Sequence, residues 1–234
     1  MNERADEALA ELASLQLLAP PIVGALESEL RTLSPVAERR PARELAILIG
    51  AAGSLAAAML LVMPTRRSLG ELPVIWIAGM AAAWMFGFGA AIYLALVPKR
   101  GSMMPRWRLA ALAAIATSCL FVVLGLLVPP SGPSRPHFGW ERLAHGYSCL
   151  VLGLAVAIVP VAIGALFLRG SYPVRTRWIA AALGAGGGCL GGLVLHLYCK
   201  IADGPHIGLI HGGVVGCAAV ISALMIPRLI DSGS

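Results

Sequence analysis

The sequence predicts an all-α integral membrane protein, with six transmembrane helices behind a short N-terminal cytoplasmic helical tail. Three observations carry that class. Of 234 residues, 58% are hydrophobic and only 13% are charged, where a soluble domain is charged at about one residue in four. Mean hydropathy is +0.82. The apolar residues gather into six runs, each near the roughly 20 residues that a hydrocarbon core requires, with Pro, Gly and Arg between them.

The first 44 residues are the one polar stretch of any size. They hold eight of the twelve acidic residues: Glu3, Asp6, Glu7, Glu11, Glu27, Glu29, Glu38 and Glu44. Leu9, Leu12 and Leu15 fall near helical spacing. Ile22, Leu26, Leu30 and Leu33 follow it more cleanly, at i, i+4, i+8 and i+11. Pro20-Pro21 separates the two expected helices, and Ser34-Pro35 ends the second. A segment this short buries too little surface to hold a core of its own. Its stripes need a partner: each other, the membrane surface or another protein. No leader peptide is expected, because the first long apolar run starts near Leu45 behind this charged stretch.

The six predicted spans are Leu45–Met63, Val74–Val97, Trp107–Val128, Leu143–Leu168, Trp178–Leu197 and Ile207–Ile226. Residues 45–226 thus form the membrane domain, between the 1–44 tail and a short 227–234 end. Lipid offers backbone groups no hydrogen bonds, so the spans must be helical. Trp107, Trp140 and Trp178 stand at span ends, where interfacial aromatics belong.

Lysine and arginine set the orientation. Thirteen lie on one side of this arrangement: Arg4, Arg31, Arg39, Arg40, Arg43, Lys99, Arg100, Arg106, Arg108, Arg169, Arg175, Arg177 and Arg228. Five lie on the other: Arg66, Arg67, Arg135, Arg142 and Lys200. The positive-inside rule places the first group, and both termini, in the cytoplasm. The net charge of +6 is scattered over span ends rather than gathered into a groove, so direct nucleic-acid binding is not expected. The same topology sends His137, His145, His196, His206 and His211 to the outer side, with Cys149 and Cys199.

The segment from Trp178 to Ile226 organises the rest. It wraps glycine-rich helices around a polar knot of His196, Cys199, Lys200, Asp203, His206 and His211. His196, Cys199, His206 and His211 offer nitrogen and sulfur donors to zinc or a soft divalent metal at the outer face, although their spacing matches no standard zinc motif. His196 and Cys199, at i and i+3, share a helix face; His145 and Cys149 repeat the arrangement at i and i+4. The plainer reading makes these residues caps and interfacial polar groups. Cys149 and Cys199 on neighbouring helices could close a disulfide or hold a soft metal, or they could simply pack. Cys119, Cys189 and Cys217 sit deeper and read as packing. Gly184, Gly188 and Gly192, like Gly208, Gly212 and Gly216, recur every fourth residue, and the two ridges are expected to face each other. Apart from Arg108 at the very start of Trp107–Val128, no Asp, Glu, Lys or Arg lies inside a span, which argues against a pump or transporter. No Ser/His/Asp set, carboxylate pair or HExxH points to an enzyme.

The run Leu30 to Pro41 (LRTLSPVAERRP), leading into six spans, resembles the NrsF family of membrane-bound anti-sigma factors. Val97-Pro-Lys-Arg, His196-Leu-Tyr-Cys199 and Ile226-Pro-Arg-Leu are similar to landmarks of that family. The resemblance runs from about Leu26 onward. It implies a negative regulator of an extracytoplasmic-function sigma factor, held by the tail and released on a stress signal. It also implies outer-face sensor cysteines, whose place Cys149 and Cys199 occupy. The stripe Ile22, Leu26, Leu30 and Leu33 would then dock in the partner's groove. The alternative is a metal- or haem-binding membrane protein with outer-face His and Cys ligands.

Overall fold

The computed structural model describes residues 39–63, 73–97, 103–127, 140–169, 174–201 and 204–231. The stripe Ile22, Leu26, Leu30 and Leu33 lies outside them. Within the described residues all regular structure is helical, and six helices are long and apolar enough to cross a membrane. They are α1 (Pro41–Val62), α2 (Val74–Leu96), α3 (Arg106–Leu127), α4 (Trp140–Leu168), α5 (Thr176–Tyr198) and α6. The last is continuous through Gly204–His206, a π-helical turn at Ile207–His211 and Gly212–Asp231.

Boundaries differ from the sequence reading where a proline acts differently from its usual role as a stop. α1 begins at Pro41, four residues before Leu45, because proline fits the first helical position, where its missing N–H costs nothing. α6 runs through Pro227 to Asp231 rather than stopping at Ile226. α4 likewise carries Pro160 inside it.

Packing is organised around α5. In its most apolar stretch 89% of residues are buried, against 11–44% for the other five helices. The cause is its run of small residues. Lipid is as apolar as any side chain, so helices in a bilayer associate by close fit rather than by hydrophobic burial. Successive residues of a helix point about 100° apart, and the glycines of α5 serve three neighbours in turn. A methyl at Gly184 would meet the Ala218 carbonyl and Ser222 of α6, and one at Gly188 would lie 2.6 Å from Val215 Cα. Gly187 abuts Ala157 and Val161 of α4, and Gly191 lies on the backbone of Gly153. Gly186 abuts Ile92 of α2, and Gly192 the ring of Trp84. That ring stacks on Phe121 of α3 at 3.5 Å and 3°.

The expected facing of two glycine ridges is therefore corrected. Gly184 and Gly188 do pack on α6, but against Ala218 and Val215. Gly208 and Gly212 turn away to the backbone of α3 around Phe121 and Val122, and Gly208 crosses Gly125 there. Gly216 has open space. Two ridges on one helix pair would leave α5 only one close neighbour, whereas spreading its glycines over three faces lets it serve as the central post.

The same substitution should then have opposite signs at two sites. Gly188→Ala drives a methyl into backbone, and overpacking of this kind costs about 1–3 kcal/mol. Gly216→Ala meets nothing within 4 Å and should gain up to about 1 kcal/mol of helix propensity. Thermal unfolding of the two variants in detergent tests this; equal shifts would deny α5 its role as post.

At the end of the bundle that carries Pro41, polar side chains close the helix ends. The last carbonyls of a helix lack intrahelical donors. Arg106 supplies them for α2: its Nε donates to the Leu94 carbonyl at 3.4 Å, and its terminal nitrogen donates to that of Ala95. Arg175, the residue before α5, takes the left-handed conformation (φ 54°) and lays its guanidinium 4.4 Å from the Trp107 ring of α3. Thr117 and Ser118 in mid-α3 return their hydroxyls to the carbonyls of Ala113 and Ala114, each at 2.7 Å, so neither offers lipid an unsatisfied donor. Losing a hydrogen bond from a charged donor costs about 1.5–3 kcal/mol in a buried setting and less when part-exposed. Arg106→Leu should therefore lower the detergent melting temperature, with a smaller loss for Arg106→Lys. An Arg106→Leu variant as stable as the parent would show the cap to be idle.

Candidate thiol and imidazole site

Three chain segments meet at the opposite end of the bundle. Cys149 stands in the early part of α4. Cys199 is the residue that ends α5; its backbone is extended (φ −66°, ψ 128°) and its N–H donates to the Leu195 carbonyl at 2.7 Å. His206 precedes, and His211 ends, the π turn near the start of α6.

That turn is what makes the site. In an α-helix residues five apart stand about 140° away from one another, on different faces. A π turn closes its hydrogen bond over five residues instead of four. Here the Gly212 N–H reaches back to the Ile207 carbonyl. Residues five apart therefore stack, and the His206 and His211 rings meet edge to face with centroids 5.1 Å apart. Room for the wider turn comes from neighbouring glycines. Gly125 of α3 leaves space for Gly208, and Gly146 of α4 for Ile210.

The four donors converge. The Sγ atoms of Cys149 and Cys199 are 3.6 Å apart. Cys199 Sγ lies 3.4 Å from His206 Nε2. One ligand atom from each of Cys149, Cys199, His206 and His211 falls within 4.8 Å of all the others. Three of the four are sealed from solvent, with exposures of 4% for Cys199, 6% for His206 and 1% for His211; Cys149 is part-buried. A pair of thiols in this setting can be oxidised together or can bind a thiophilic cation, and two imidazoles add borderline nitrogen ligands.

The residues singled out by sequence divide as follows. Cys199, His206 and His211 come together, and Cys149 joins them. His196 does not: it is buried against Trp76 of α2, with ring centroids 5.0 Å apart. Sharing a turn of helix did not give the two residues a common neighbour: His196 packs toward Trp76 of α2, whereas the Cys199 thiol meets Cys149 of α4 and His206 of α6. Of the remaining polar knot, Lys200 is exposed, while Asp203 and the side chain of His145 lie outside the described residues. Cys189 is buried in the core beside Gly87, whereas Cys119 and Cys217 face outward rather than pack. Sequence reasoning paired Cys149 with His145 and with Cys199, but not with His206 and His211. The available signal was its predicted depth, which matches that of Cys199, His206 and His211.

A family model described as NrsF, negative regulator of sigma F, matches residues 30–231. No curated protein and no solved structure matches the chain.

Proposed function

This chain belongs to the NrsF family, negative regulator of sigma F, and from that membership we propose how a multi-pass membrane protein does the work of an anti-sigma factor. Residues 1–44 hold an extracytoplasmic-function sigma factor at the cytoplasmic face of a bacterial inner membrane, through Ile22, Leu26, Leu30 and Leu33. A stress signal at Cys149 and Cys199 on the outer side releases it. Residues 45–226 are the relay, and 227–234 end in the cytoplasm.

The observation that carries this reading is the thiol pair, 3.6 Å apart, at the bundle end away from Pro41 and Asp231. The basic residues support the orientation: Arg106, Arg108, Arg169, Arg175, Arg177 and Arg228 cluster at the end near Pro41. The packing of α5 supports the relay. α4, α5 and α6 all contribute to the site, and α5 touches α4 and α6 backbone to backbone. Close-packed contacts of this kind shift between discrete arrangements instead of deforming smoothly.

The test is fractionation. Cells expressing the full chain with its sigma factor should return both in the membrane pellet, and a reporter fused to the N-terminus should be active only in the cell interior. A sigma factor that stays in the soluble fraction, or a tail found outside, sinks the proposal.

A further inference from the structure

We propose that Cys149, Cys199, His206 and His211 are the four ligands of a site for a tetrahedral d10 divalent cation, zinc or its softer congener cadmium. This deepens the sensing half of the reading above and rests on it for its regulatory meaning.

The geometry is the first argument. Metal–sulfur and metal–nitrogen bonds of about 2.3 and 2.0–2.1 Å give a regular tetrahedron edges of about 3.8 Å between sulfurs and about 3.5 Å between sulfur and nitrogen. The corresponding separations here are 3.6 Å for Cys149 to Cys199 and 3.4 Å for Cys199 to His206. All four donor atoms lie within 4.8 Å of one another, so small rotations bring each to bonding distance of one centre. A disulfide alone would require neither imidazole.

Charge is the second argument. Binding exchanges two thiol protons for the ion: M²⁺ plus two Cys–SH and two neutral imidazoles gives M(S⁻)₂(His)₂ and two H⁺. The product carries no net charge. A site whose ligands are 1–6% exposed, apart from the part-buried Cys149, tolerates that far better than it would a charged complex. Two sulfurs and two nitrogens also match the ligand preference of zinc and cadmium over that of magnesium or calcium.

The third argument is the π turn. It brings His206 and His211 onto one face, beside the two thiols. π turns inserted in α-helices occur often at functional sites. An ion held here ties α4, the end of α5 and the start of α6 together at one point.

The experiment uses the full chain, purified in detergent under reducing conditions, stripped by a chelator and titrated with Co²⁺ and then Zn²⁺. One ion per chain is expected, with the visible bands of tetrahedral cobalt and a thiolate charge-transfer band, both erased by zinc. His206→Ala and His211→Ala should each weaken cobalt binding by at least about the 10–100-fold that loss of an outer-shell partner costs. His196→Gln should leave it unchanged. His206→Cys, with a third sulfur, should keep the tetrahedral bands and strengthen the charge-transfer band, which a misfolded protein would not do. Failure of the parent to take up one ion, or spectra and affinities unmoved by both alanine variants, overturns the proposal. Sigma-factor retention measured on the same membranes separates the two ideas: a sigma factor never retained would sink the regulatory reading and leave the cobalt result standing.

Discussion

Exchanging Leu26 and Leu30 together for Asp should release the sigma factor from the membrane and leave its target promoters fully active. The reasoning starts from the stripe Ile22, Leu26, Leu30 and Leu33, spaced to fall on one helical face in a segment too short to bury it alone. If that face fills a groove on the partner, burial of each leucine contributes about 1.5–3 kcal/mol. Two such losses sum to about 3–6 kcal/mol, which is two to four decades of affinity. Aspartate adds the cost of putting a carboxylate in an apolar groove. The measurement is the share of sigma factor in the membrane pellet, beside the output of a sigma-dependent reporter. A charge-neutral control on the polar face, Ser28→Ala, should change neither. If the double variant retains the sigma factor as tightly as the parent, the stripe is not the docking surface.

Cys149→Ser and Cys199→Ser, singly, should each abolish induction while the sigma factor remains captured before stress. Serine preserves size but not chemistry. A thiolate is the species that attacks an oxidant or binds a soft cation, and a hydroxyl does neither at neutral pH. The two sulfurs sit 3.6 Å apart, so closing a bond of about 2.05 Å requires them to approach by roughly 1.5 Å. In that route an oxidant such as a peroxide takes two electrons and both thiol protons. In the other route a cation takes the place of the protons. Reporter output under oxidant and under a thiophilic cation separates the two. Loss of response to both in either variant fits a site that needs both sulfurs. Normal induction in either variant would falsify the sensor role of that residue. The histidines divide the routes further: His211→Ala should blunt the response to cation more than the response to oxidant, because only metal binding uses the ring.

Much of this architecture was legible in the chain. Six apolar runs with basic residues at alternate ends require six helices and order them, because a continuous apolar run of that length can satisfy its own backbone in lipid only as a helix. Helix ends were less legible. Proline carries two meanings, and only context decides between opening a helix at Pro41 and riding inside one at Pro160 or Pro227. The thiol pair was nominated from depth, residue type and the family resemblance, and the expected metal set held three of the four residues that surround one point.

What sequence by itself determined is the class of the protein, the number and order of its spans, and a shortlist of soft donors near one membrane face. These depend on composition and on short-range periodicity, which are written locally. Tertiary structure alone decided which donors meet. Spacing put His196 with Cys199, but the end of α5 and a π turn in α6 substitute Cys149 and align His206 with His211. That turn exists because Gly146 and Gly125, on two other helices, leave room for it. A change of one residue in helical register depends on what packs against the helix, and no stretch of α6 read alone contains that information.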